Sequence, residues 1–216
     1  MLTEDDALAR ARTLAAAPGR RLLGITGPPG AGKSTLAERV VADLGERARL
    51  VGMDAFHLAG AELVRLGRQD RKGAIDTFDA AGFVALLRRL RAADEPVVYA
   101  PEFRRAIEEP IGSAVAVPRE VSLVVTEGNY LLAAEGAWAG VGPLLHECWY
   151  VTVPEEERLR RLIERHVAFG KPPDFAREWA LGTDQRNAEL IEATRARADA
   201  IVIAGPLSPG PAPPPG

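Results

Sequence analysis

Short, almost continuously apolar runs alternate along the chain with longer stretches whose apolar positions recur at helical spacing. Five runs have strand length: Leu22–Thr26, Leu50–Met53, Ser122–Thr126, Cys148–Val153 and Ala200–Ile203. Continuous rather than alternating apolarity suits parallel strands covered on both faces. Helical periodicity predicts helices over Glu4–Ala17, Ser34–Leu44, Ala80–Ala92, Glu155–Phe169 and Pro173–Ala196. In the second of these, Leu36, Val40, Val41 and Leu44 make a single apolar stripe. Strand followed by helix, repeated, predicts an α/β fold: a five-stranded parallel sheet between helical layers, with right-handed crossovers. A longer and less regular insertion, 56–121, is expected on the substrate side. No internal repeat is present.

Composition narrows the classes. The chain has 216 residues, 27 basic and 30 acidic, and only three of the basic residues are lysines: Lys33, Lys72 and Lys171. A net charge of −3 without long basic runs argues against a nucleic-acid partner. No apolar run is long enough to cross a membrane. The acidic, amphipathic start MLTEDDALARAR lacks the order of a signal peptide, and Cys148 is the sole cysteine, so a reducing cytoplasm is expected. Residues 1–205 are expected to form one domain and the proline-rich 206–216 a disordered appendage.

The strongest motif is Gly27-Pro28-Pro29-Gly30-Ala31-Gly32-Lys33-Ser34, which fits G-x-x-x-x-G-K-[ST] between a predicted strand and a predicted helix. Its glycines let backbone amides face an anion, and the helix start adds partial positive charge. Lys33 is then expected at the β- and γ-phosphates of ATP, Ser34 on Mg²⁺ and Thr35 at the α-phosphate.

Reacting groups of open α/β sheets gather at the carboxyl ends of strands. Asp54 ends the second run and is a candidate general base for a substrate hydroxyl; capping a following helix is the alternative. Glu127 ends the third run and is placed to hold Mg²⁺ with Ser34, or to orient the acceptor. On 155–169, Arg158, Arg161 and Arg165 share one helical face. Arg161 and Arg165 are expected to neutralise transferred charge as part of a lid, about 155–173, hinged at Phe169–Pro173. Pairing with Glu155, Glu156, Glu157 and Glu164 is the competing expectation. The three histidines have no zinc-ligand spacing, and His57, three residues after Asp54, is placed to touch an acceptor.

Together these segments resemble the P-loop metabolite kinases that group uridine kinase, phosphoribulokinase and type I pantothenate kinase. The likeness runs from about Arg20 to Gly205. Asp54-Ala55-Phe56-His57 is similar to the family's Asp-x-Phe segment carrying the base. Arg71-Lys72-Gly73-Ala74-Ile75-Asp76-Thr77-Phe78-Asp79 is similar to an acceptor-side stretch of the pantothenate kinases. Glu127-Gly128-Asn129 resembles the Glu-Gly of the third strand, and Arg158–His166 the Arg-rich lid. Tyr99-Ala100-Pro101 departs from the Tyr-Ser-His of pantothenate kinases, and the Tyr-Asp-Phe of uridine kinases is missing. The nearest likeness is to bacterial proteins labelled nucleoside/nucleotide kinase family.

The resemblance implies a P-loop three-layer sandwich and an ATP- and Mg²⁺-dependent transfer of the γ-phosphoryl group to a hydroxyl of a small metabolite. Acceptor contacts are expected at His57, Arg71, Lys72, Asp76, Tyr99, Phe103, Arg104 and Asn187, although aromatics are more often core. A homodimer is left open. The rival class is a P-loop ATPase or regulatory protein without a small-molecule acceptor.

Overall fold

The computed structural model describes residues 1–170 and 172–205. Lys171 and the proline-rich 206–216, for which a hinge and a disordered tail are expected, lie outside the described residues. In chain order the elements are α1 (Glu4–Ala16), β1 (Arg21–Thr26), α2 (Lys33–Leu44), β2 (Ala48–Leu50), α3 (Gly60–Arg65), α4 (Ala80–Ala92), β3 (Val97–Arg104), β4 (Glu109–Pro118), β5 (Leu123–Glu127), β6 (Glu147–Thr152), α5 (Glu155–Ala168), α6 (Pro173–Leu181), α7 (Thr183–Glu192) and β7 (Ala200–Ile203), with short 3₁₀ turns between several of them. The five-stranded sheet has the order β2-β5-β1-β6-β7, and every pair in it is parallel.

Strand periodicity explains the layers. Successive side chains point to opposite faces. Leu22, Val124, Cys148 and Tyr150 enter a core shared with Phe83, Leu87 and Leu90 of α4. Their neighbours Leu23, Val125, Trp149 and Val151 enter a second core with Ala7 and Ala11 of α1 and Leu36 and Val40 of α2. Burial on both faces is why the central strands read as unbroken apolar runs.

Three differences from the sequence expectation bear on function. The second strand covers Ala48–Leu50 rather than Leu50–Met53, and Met53–Phe56 forms a 3₁₀ turn. The chain leaves the ladder after Val51, whose amide still donates to the Val125 carbonyl at 2.9 Å, and the turn buries Met53 and Ala55. Apolarity there marks burial without strand pairing. The long helix expected over Pro173–Ala196 is two helices broken at Gly182, where φ is −98° and ψ −92°. A Cβ on Gly182 would stand 3.0 Å from the Glu178 carbonyl oxygen. The insertion, finally, contains an antiparallel hairpin, β3–β4, forming its own two-stranded sheet with a register shift between Ala100 and Glu102. Buried Arg20 joins this hairpin to the main body by donating to the carbonyls of Leu90, Pro118 and Val121. No helix among the described residues is long and apolar enough to cross a membrane.

Candidate active site

The glycine loop leaves β1 and enters α2 through backbone that side chains resist. Gly27, Gly30 and Gly32 have φ of 146°, 85° and 95°. Space is equally restrictive: a Cβ on Gly27 would lie 2.4 Å from the Val151 carbonyl oxygen, and one on Gly30 2.6 Å from that of Arg158. Gly32 precedes α2 without a side-chain cap, so no side chain competes for the first-turn amides. Buried Lys33 opens the helix, and its ammonium donates to the Pro28 carbonyl at 3.1 Å. Burial pulls Lys33 down to about 8, against the opposing pull of Glu127.

Glu127 ends β5 beside the loop and accepts a hydrogen bond from the Ser34 hydroxyl. Burial, with the nearby charge of Asp54, pushes its carboxyl up to about 7. Asp54 sits on the 3₁₀ turn after β2, and its Oδ2 lies 3.3 Å from Nη2 of Arg105. His57 Nδ1 is 2.7 Å from the Asp54 carbonyl oxygen. Burial drives the imidazole below its usual range, and the neutral ring donates to that carbonyl from Nδ1.

The face of α5 toward the loop is built from arginines. Arg158 is fully buried; it donates to the Pro29 carbonyl at 3.1 Å, to Gln185 of α7 and to Glu155. Arg161 donates to Glu157 and to the Gly205 carbonyl. Its buried Nη1 has no hydrogen-bond partner among the described residues and lies 3.7 Å from where a Gly32 Cβ would be. An orphaned guanidinium N–H beside glycines that admit no side chain is a cradle suited to a phosphate. Carboxylate pairing is thus realised for Arg158, Arg160 and Arg161. Farther along, His166 Nε2 is 2.7 Å from Asp184 Oδ2, tying α5 to α7.

One cavity of about 400 Å³ gathers Pro29, Lys33, Ser34, Asp54, His57, Lys72, Phe103, Glu127, Arg165 and Asn187 from the expected set. Four expected acceptor contacts do not line it. Arg71 and Asp76 pair with each other at 2.9 Å and close their own loop. Tyr99 is 56% exposed on the outer side of β3. Arg104 lies near Glu102, on the opposite side of the strand from Phe103. Arg161 does not line this cavity, its Nη1 lying against Gly32, and Thr35 is exposed on α2. The structure adds Arg105, Glu108, Asn129, His166, Trp179 and Asp184 to the lining. Arg105 and Glu108 belong to the turn between β3 and β4, which no periodicity marks. Asp184 stands three residues before Asn187, and helical spacing alone puts it on the same face.

This combination of a glycine loop on β1, acidic residues at neighbouring strand ends and an arginine-bearing helix across the loop defines a P-loop nucleotide-binding fold. Residues 4–58 match the family model of the methylmalonyl Co-A mutase-associated GTPase MeaB. An ATP-dependent kinase-like protein of Aspergillus versicolor is 37% identical over 152 residues, covering 66% of this chain and 88% of its own. A Schizosaccharomyces pombe protein named as a uridine kinase is 32% identical over 160 residues, 70% of this chain and 68% of its own. Among solved structures, a protein of Silicibacter sp. TM1040 named as a fructose transport system kinase superposes with a TM-score of 0.81 at 35% identity, covering 90% of this chain and 97% of that one. The chain belongs to the P-loop kinase family that includes the uridine and pantothenate kinases.

Proposed function

We propose that the protein is a small-molecule kinase that moves the γ-phosphoryl group of ATP onto a hydroxyl. The observation carrying this reading is that Asp54 and Lys33 face one cavity with room beyond them for an acceptor. The glycine loop, Lys33 and Nη1 of Arg161, which has no partner among the described residues, would hold the triphosphate. Ser34 and Glu127 would hold Mg²⁺, which when bound offsets charge on the β- and γ-oxygens. Asp54 accepts the proton of the acceptor hydroxyl as its oxygen bonds to the γ-phosphorus and the bond to the β,γ-bridging oxygen breaks. Arg165, on the cavity wall, balances charge on the transferred group, and α5 with α6 limits water. His57, Phe103 and Asn187 are acceptor contacts in this reading.

The test uses purified protein. ADP release should depend on an added hydroxyl compound, and Asp54→Asn should lower transfer by at least ~10²-fold, the lower range for general-base catalysis, while ATP still binds. Full-rate ATP hydrolysis without any acceptor would overturn the reading.

A nucleotide hydrolase is the second reading, favoured by the match to the GTPase family model. That match ends at residue 58. Lys72, the β3–β4 hairpin, Glu127 and Arg165 all lie beyond it, and all contribute to the lining of the cavity that Asp54 faces.

A further inference from the structure

We propose that Arg105 and Lys72 form an anion-recognition element for the acceptor, which is then a small hydroxyl compound bearing a carboxylate or phosphate close to the reacting hydroxyl. This rests on the kinase reading of the same cavity.

The evidence lies at the hairpin tip. Arg105 follows β3 and reaches back to Asp54, its one ion pair among the described residues, at 3.3 Å. Lys72 arrives from the loop before α4, donates to the Glu108 carbonyl, and has no ion pair among the described residues. Both cations lie near the Phe103 ring: Lys72 Nζ at 5.5 Å and the Arg105 guanidinium carbon at 6.0 Å from its centroid. His57 packs on the same ring at 5.0 Å between centroids. Phe103 is therefore engaged by three neighbours and is poorly placed to stack a flat base. What the tip offers a ligand is positive charge.

The contact with Asp54 makes that charge selective. A guanidinium bonded to Oδ2 occupies one lone pair of the carboxylate and stands where an acceptor hydroxyl would approach that oxygen. An acceptor anion draws Arg105 toward itself and frees the oxygen. When Asp54 then takes the hydroxyl proton it becomes neutral, and the acceptor anion keeps Arg105 paired. A neutral polyol or nucleoside supplies neither effect, so recognition and release of the base are coupled. Because Arg105 already touches Asp54, the anion must sit only a few bonds from the reacting oxygen.

The full-length protein with MgATP is assayed for ADP release against neutral polyols and nucleosides, against hydroxy acids, and against sugar monophosphates. Turnover is expected with a charged set only, and the set used distinguishes carboxylate from phosphate. Arg105→Ala should raise the acceptor KM about 30-fold and Lys72→Ala about 10-fold, with the KM for ATP moving less than threefold. Arg105→Lys should recover part of the loss. Preferred turnover of neutral compounds, with acceptor KM indifferent to Arg105→Ala, overturns the proposal and leaves the kinase reading intact. Stimulation by none of the sets overturns both.

Discussion

The guanidinium of Arg158, on α5, donates to the carbonyl of Pro29 in the glycine loop while a second nitrogen reaches Gln185 on α7. One buried side chain thus fixes the phosphate loop against both helices of the opposite wall. Replacing Arg158 with Met keeps the packing but strands the Pro29 carbonyl and the Gln185 amide oxygen. The expected loss is about 2–4 kcal/mol, from roughly 1–3 kcal/mol for each of the buried Pro29 carbonyl and the half-buried Gln185 oxygen with partial rehydration of the latter, the Glu155 partner being largely solvated. Urea unfolding measures it. The ATP KM should rise in the same variant because the loop loses its brace.

Glu127 predicts a pH dependence. Its folded carboxyl titrates near 7, above the ordinary value of 4.5, because it is buried close to Asp54. Between those two values the unfolded chain is ionised while the folded one holds the proton, so without metal the stability contributed at this site falls as pH rises through that window. Metal binding needs the carboxylate, so Mg²⁺ must displace a proton below pH about 7. Apparent Mg²⁺ affinity in the ATP complex should fall toward tenfold per pH unit below that point and level off above it. Glu127→Gln should flatten the profile; a profile unchanged by Glu127→Gln would remove Glu127 from the metal site.

Gly128 offers a test of how Asp54 is positioned. A Cβ there would lie 2.4 Å from Met53 Cβ and 2.7 Å from its sulfur. Met53 is the residue before Asp54 in the 3₁₀ turn. Gly128→Ala should cost about 1–3 kcal/mol by overpacking and displace the turn. Transfer activity should drop further than the folded fraction does. Combined with Met53→Gly, which removes the Cβ as well as the sulfur, the loss should be smaller than the sum of the two single losses, and strict additivity in the double-mutant cycle would refute direct coupling.

Arg20 tests the attachment of the hairpin. Arg20→Met leaves three backbone acceptors, in Leu90, Pro118 and Val121, without their donor. A destabilisation of about 2–4 kcal/mol is expected, from roughly 1–3 kcal/mol per acceptor with partial rehydration. Hydrogen exchange should show the loss concentrated in β3 and β4 rather than in β1 or β5.

The parallel sheet and the glycine loop were legible in sequence because each leaves a local mark. Strands buried on both faces are continuous apolar runs, and a phosphate loop needs glycines at fixed offsets from Lys33. Asp54 and Glu127 could be singled out because strand ends are where such sheets collect polar groups, and both line the same cavity. The turn at Met53–Phe56 was not, since Met53 and Ala55 are buried without joining the ladder. Gly182 hid the break between α6 and α7 inside an otherwise helical pattern. Arg105 left no mark, because its place beside Asp54 arises from the folding back of β4 on β3, a pairing distant in sequence from β2. Arg71 and Asp76 illustrate the converse: opposite charges five residues apart pair with each other, outside the cavity lining.

Among the described residues the β3–β4 hairpin pairs only with itself. Insertions, deletions or substitutions at its tip therefore alter the chemistry presented to Asp54 without shifting the register of any strand that carries the phosphate loop. In the proposed kinase, nucleotide handling and much of acceptor choice would occupy separable parts of one chain, so lineages sharing this sheet could exchange one phosphoryl acceptor for another largely by remodelling this ribbon.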